Sequence, residues 1–149
     1  MGKNLSKKKK EEEEKRERQR KIEKEREEED RLYEEQLQRE YEEKVKEYKD
    51  FISKYEELVE SEIEYNVELN EPFIIKGSRP YSVPPSARKK EFKLIKMDDN
   101  FELVEQRNFK LQRPHTYGGS ITVIYVFRPI KKGKGQIIFT KFLKNITIN

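Results

Sequence analysis

The chain contains no cysteine, and neither proline nor glycine occurs between residues 11 and 65. The first absence excludes disulfides, thiolate nucleophiles and Cys-containing metal sites, and it fits a reducing compartment. The second leaves a long stretch with nothing to interrupt a helix. Histidine occurs once, as His115, beside Pro114, Thr116 and Tyr117. A Ser–His–acid triad would depend on that residue alone, and no nucleophile elbow or metal partner accompanies it. No apolar run approaches the roughly 18 residues that span a bilayer, and the first residues lack the apolar core of a signal peptide. The expectation is a soluble cytoplasmic protein. Gly118-Gly119 precedes a strand pattern and lacks the lysine of a phosphate-binding loop. The many carboxylates fall on a solvated helix, where no cleft desolvates one of a pair. No enzyme, no cofactor, no metal site and no small-molecule ligand is therefore expected.

What the chain has in abundance is charge: 43% of its 149 residues are charged and 32% hydrophobic, too few apolar residues to fill a core along the whole length. The charges are sorted. Residues 1–65 hold 18 Lys/Arg and 23 Asp/Glu, a net of −5, and residues 66–149 hold 16 and 7, a net of +9. The second half favours an acidic partner: nucleic acid, an anionic membrane or an acidic protein face. Residues 1–10 read as a basic, disordered leader. Gly2 behind a removable Met, with Ser6 and then Lys7 to Lys10, fits the pattern for myristoylation backed by a polybasic patch. That modification would make the protein a peripheral membrane one.

Residues 11–65 are rich in Glu, Lys, Arg and Gln, strong helix formers, and read as one helix of about 80 Å at 1.5 Å per residue. Its first part has a single large aliphatic residue, Ile22, before Leu32. Glu14–Arg18, Glu27–Arg31 and similar i, i+4 pairs support it as a solvated single helix. Its second part carries a stripe, Tyr33, Leu37, Tyr41, Val45, Tyr48, Ile52, Tyr55, Val59 and Ile63, broadened by Phe51 and Leu58. The mean step of 3.75 residues along it exceeds the 3.5 of a left-handed coiled coil. The stripe is expected to lie on another surface, either the chain's own second half or a partner.

From residue 66 the period changes. Strand patterns fall at 66–76, 91–97, 100–110, 120–128 and 136–143, with a short tail strand at 145–149. Asp98-Asp99-Asn100 reads as a tight turn joining two of them. Residues 77–87, with Pro80, Pro84 and Pro85, read as a loop. Residues 120–128 are apolar on both faces, as a central strand would be. The fold class is α+β: a long charged helix (11–65), then a basic all-β antiparallel module (66–149), an Ig-like sandwich or a small barrel.

Thr116-Tyr117-Gly118-Gly119, a strand, Phe127-Arg128-Pro129-Ile130-Lys131-Lys132-Gly133 and the strand Ile137-Ile138-Phe139 follow one another in a familiar order. This order resembles the C-terminal half of the chagasin-type inhibitors of papain-like cysteine proteases. The resemblance implies an Ig-like domain that blocks a protease through loops at one end, with Gly118 and Gly119 in one of them. It spans about 30 residues. Where the family has an Asn-Pro-Thr-Thr-Gly-aromatic loop this chain has Gly77-Ser78-Arg79-Pro80-Tyr81-Ser82. For the Arg-Pro-Trp loop it has Thr140-Lys141-Phe142.

Two further candidate surfaces are basic. One comprises Arg79, Tyr81, Arg88, Lys89 and Lys90, the other Lys131, Lys132 and Lys134, with Tyr81 and Tyr117 as stacking or contact aromatics. Three functions are compatible with these patterns. The first is a non-catalytic scaffold whose β module and helix contact a protein partner or larger assembly. The others are a chagasin-like protease inhibitor and an RNA- or ribosome-associated factor.

Overall fold

The computed structural model describes every residue except Met1, Glu60, 81–90 and Tyr117, with only the backbone described over 2–5. The chain divides into two compact units, Met1–Glu40 and Tyr41–Asn149. Helix α1 spans Gly2–Ile52. Within the first unit its described side chains are exposed apart from a half-buried Leu37, and Tyr33 of the stripe is 58% exposed. Glu14–Arg18 closes at 3.9 Å, while Arg31 meets Glu28 at 3.7 Å and Glu35 at 3.3 Å. Exposed pairs of this kind contribute a few tenths of a kcal/mol each.

Both ends of the helix differ from the sequence expectation of 11–65. Helix α1 extends over the leader, with Lys3 to Lys10 helical. Lysine is a good helix former, and Lys7 to Lys10 stand four residues before Glu11 to Glu14. At the other end the helix stops at Ile52, although no proline or glycine follows. Tertiary pairing overrides propensity there. Ser53 Oγ donates to the Asp50 carbonyl at 2.8 Å, and two residues, β1 (Glu56–Glu57), join a sheet edge. The Leu58 amide donates to the Ile74 carbonyl at 3.0 Å, which drops the Leu58 side chain into the core.

Among the described residues seven further strands follow: β2 (Glu64–Val67), β3 (Phe73–Pro80), β4 (Leu94–Met97), β5 (Phe101–Phe109), β6 (Ser120–Pro129), β7 (Gly133–Phe139) and β8 (Leu143–Ile148). The loop expected over residues 77–87 gives way to strand over 77–80, because β3 stays paired with β6 as far as Ser120. The rest of that stretch lies outside the described residues. They form two four-stranded sheets, β1-β3-β6-β5 and β2-β8-β7-β4. The module is thus a sandwich, and the barrel alternative does not form. It is also not wholly antiparallel: β1 runs parallel to β3 and β2 parallel to β8, each at a sheet edge. The hairpin expected across Asp98-Asp99-Asn100 is absent. β4 pairs with β7 and β5 with β6, so this turn carries the chain from one sheet to the other. Each end of the turn continues the ladder of its own arm, Asp98 with β7 and Asn100 with the residue after β6. The Gln136 amide donates to Asp98 Oδ2 at 2.8 Å, and the Ile130 amide to the Asn100 carbonyl at 2.8 Å.

The core between the sheets takes the inward side chains of both, among them Phe73, Ile75, Val123, Tyr125, Phe127, Ile137, Phe139, Ile146 and Ile148. β6 is central, and its other face is covered too. Ile124 and Val126, with Ile74 and Phe109, pack against Phe51, Tyr48, Ile52 and Tyr55. The apolar stripe therefore splits. Tyr48, Ile52 and Tyr55 lie on the chain's own sheet, whereas Val59 and Ile63 are exposed and not helical.

Two cations fasten this helix end. Arg107 bonds Glu47 at 2.8 Å and lies over the rings of Phe51 and Phe109, 4.7 and 4.9 Å from their centroids. Lys76 Nζ donates to the Tyr48 hydroxyl at 2.9 Å and meets Glu57 at 3.2 Å. Partial burial pulls the Lys76 pKa down, but Tyr48 and Glu57 outweigh it and leave the ammonium above its ordinary 10.5. The Tyr65 phenol is likewise raised from 10.0, by burial first and then by the Glu62 charge. Each group binds its proton more tightly when folded. Each therefore adds stability that is complete below its unfolded pKa and is lost as pH rises through the folded one. Urea midpoints should fall steeply above about pH 10, and Lys76→Met should flatten part of that fall. Superimposable pH profiles for the two proteins would refute the role given to Lys76.

Candidate functional site at one end of the sandwich

Strand register sorts the sequence candidates between the two ends of the module. Pro80 pairs with Ser120, Arg79 with Ile121, and Phe109 with Thr122, so Arg79 and the Gly118-Gly119 loop share one end. The β7–β8 turn, Thr140-Lys141-Phe142, is at that end as well. Phe92 stacks on Phe139 at 4.9 Å, touches Phe142 at 5.6 Å and faces Gly77, which pairs with Val123 near the start of β6. A Cβ on Gly77 would come within 2.4 Å of that ring, so glycine is required there. Lys131, Lys132 and Lys134 belong to the opposite end. There Phe101 pairs with Pro129, Gly133 pairs with Ile148, and Asn100 Nδ2 donates to the Lys131 carbonyl at 3.3 Å. Arg79 and the Lys131 group are therefore at opposite ends. Tyr81, Arg88, Lys89, Lys90 and Tyr117 lie outside the described residues. Gly2 is the first residue of α1.

Backbone geometry at the first end is specialised. Gly118 and Gly119 have φ of +75° and +100°, in the region that glycine enters without penalty, and nothing lies within 4 Å of where a Cβ would stand. Before them, the chain folds on itself. The Thr116 hydroxyl donates to the Arg113 carbonyl at 2.6 Å, Gln112 Nε2 donates to the Thr116 carbonyl, and His115 takes φ +61°. With the Asn108 amide oxygen turned towards the guanidinium, Arg79 Nη2 donates to it at 3.3 Å. In the β7–β8 turn the Phe139 amide donates to the Phe142 carbonyl at 2.8 Å. Phe142 points inward, against Phe92, Phe139 (5.2 Å) and the Lys144 ammonium (5.0 Å). Lys141 is exposed.

Lys144 is the residue that sequence reasoning missed. Its side chain is 0% exposed. Nζ donates to the carbonyls of Val59 (2.6 Å) and Glu62, between the rings of Tyr65 (5.2 Å) and Phe142 (5.0 Å). The signal was present: Lys144 shares the inward parity of Ile146 and Ile148 along β8. The Tyr65 hydroxyl donates to the same Val59 carbonyl at 2.7 Å, and the Asn145 amide donates to the Ile63 carbonyl at 2.8 Å. The backbone at Val59, Glu62 and Ile63 is thereby tied to the strand that leaves the Thr140-Lys141-Phe142 turn.

No protein-family model matches the chain, and no curated protein does either. Two solved structures are similar to it. One is the solution structure of amebosin, at 10% identity and a TM-score of 0.47, covering 64% of this chain and 98% of that one. The other is the crystal structure of a cysteine protease inhibitor from Entamoeba histolytica, at 14% identity and a TM-score of 0.49, covering 64% and 96%. The resemblance of the chain to these structures is weak, with low identity and partial coverage.

Proposed function

We propose that the chain is a non-catalytic binding protein whose β sandwich meets a protein partner through the end carrying Gly118, Gly119 and Thr140-Lys141-Phe142. The partner class is a papain-like cysteine protease. The observation that carries this reading is the register. The Gly-Gly loop and the β7–β8 turn, which stand in the places of two inhibitory loops of the motif order, meet at one end together with Arg79 and Pro80, the last residues of β3. Loops set on a rigid sandwich lose little entropy on binding, which suits them to holding a partner. An RNA partner is the less favoured proposal, because Arg79 and the Lys131 group are at opposite ends and do not make one phosphate track.

The reading also limits the affinity. Tight interfaces rest on a few buried aromatic or arginine anchors. Here the turn's own aromatic, Phe142, is already engaged within the module. Inhibition of papain is therefore expected at roughly micromolar concentration, about −8 kcal/mol, and not at nanomolar. Gly118→Ala with Gly119→Ala should weaken it at least tenfold, since both glycines need positive φ while an added methyl meets no neighbour. Lys131→Ala with Lys132→Ala should leave it unchanged. Steady-state inhibition assays with the full chain check this. No inhibition, or inhibition that depends on the lysines alone, would defeat the proposal.

A further inference from the structure

Val59 and Ile63 belong to the stripe that the sequence places on a helix, yet they are 51% and 56% exposed on an irregular segment. Exposed aliphatic side chains on a loose segment would carry little meaning. These are not on a loose segment. The carbonyl beside each is hydrogen-bonded: Val59 to Lys144 Nζ and to Tyr65 Oη, and Ile63 to the Asn145 amide. The Glu62 carbonyl takes the same ammonium. Holding a fully buried lysine here costs desolvation that carbonyls and ring faces must offset. The return is a backbone fixed in place with two aliphatic side chains on its outer side. Leu143, a third exposed aliphatic residue, opens the strand that carries Lys144.

Continuity points to what covers these residues. The ammonium that fixes Val59 also packs on Phe142, a residue of the β7–β8 turn at the proposed binding end. That turn keeps its aromatic ring inward and exposes Lys141, so by itself it offers no apolar anchor. The pinned segment beside it does. We infer that Val59 and Ile63 are the apolar anchors of the partner interface, extending the contact from the Gly118-Gly119 end onto the flank of the sandwich. The occupant is the partner of the proposed function, and the inference rests on that reading.

Papain inhibition by the full chain is the probe, with Val59→Asp/Ile63→Asp and the milder Val59→Ser/Ile63→Ser as variants. Both pairs should keep the parent's urea midpoint, because the side chains are half in water. Both should raise the inhibition constant, the aspartates by tenfold or more. If the aspartate pair unfolds the module, the serine pair decides, with threefold or greater weakening expected. Inhibition that is unaltered by either pair but lost with Gly118→Ala/Gly119→Ala overturns the flank contact and leaves the loop-end reading standing. Absence of inhibition by the parent chain overturns both.

Discussion

Phe127→Ala is expected to destabilise the β module by about 3–5 kcal/mol, the usual cost of emptying an aromatic core site. Phe127 is 0% exposed, towards the end of the inner strand β6, where it pairs with Phe73. It stacks on Phe73 at 5.7 Å and Tyr125 at 6.2 Å, and meets Phe139 of the facing sheet edge-on at 6.2 Å. Neighbours from two sheets cannot collapse together into the space without distorting both ladders, so most of the cavity would persist. A domain of this size has only about 5–15 kcal/mol in total, and the variant would sit near the edge of folding. The chain has no tryptophan, so far-ultraviolet circular dichroism during urea titration is the suitable measurement. A loss below about 1 kcal/mol would mean that the two sheets do not share this core.

The second large effect is expected from Lys144→Met, at about 2–3 kcal/mol. Methionine fills a similar volume but leaves the Val59 and Glu62 carbonyls without their charged donor, and hydrogen bonds to charged groups carry about 1.5–3 kcal/mol. The damage should be local before it is global. Amide exchange over 58–65 should accelerate well before the β3–β6–β5 ladder is affected. Lys141→Met, three residues away and exposed, is the control and should stay within about 0.5 kcal/mol of the parent. Equal behaviour of the two variants would show that the buried ammonium does not hold the segment.

Much of the architecture was legible in the residues themselves. The apolar run of 120–128 marked the central strand, because a strand covered on both faces cannot alternate. The absence of proline and glycine marked the helix, but not its end. Propensity is a sum of small local terms, and burying Leu58 while pairing Glu56 with Phe73 outweighs it. The Asp98-Asp99-Asn100 turn misled for a related reason. Its composition says where the chain turns but not which strand each arm then joins, a matter settled by Phe101 entering the core. At the candidate site, the glycines could be named from the motif order. The burial of Lys144 could not be read from its chemistry, since lysine is usually a surface residue, and only its parity in β8 gave it away.

The sheet margins have a bearing on how the protein behaves when concentrated. Among the described residues the two sheets present four outer strands, and each is a poor template for another chain. β1 has two residues, β2 and β4 have four each, and the nine residues of β5 are broken by a register shift between Leu103 and Glu105. Glu102, Glu105 and Arg107 stud that longest margin, and Val104, its most exposed aliphatic residue, falls at the shift itself. Short, kinked and charged margins resist the strand-to-strand stacking that leads to fibrils. Edge-to-edge association of the folded form through these margins is thereby disfavoured, despite the aromatic and β-branched sequence of the second half.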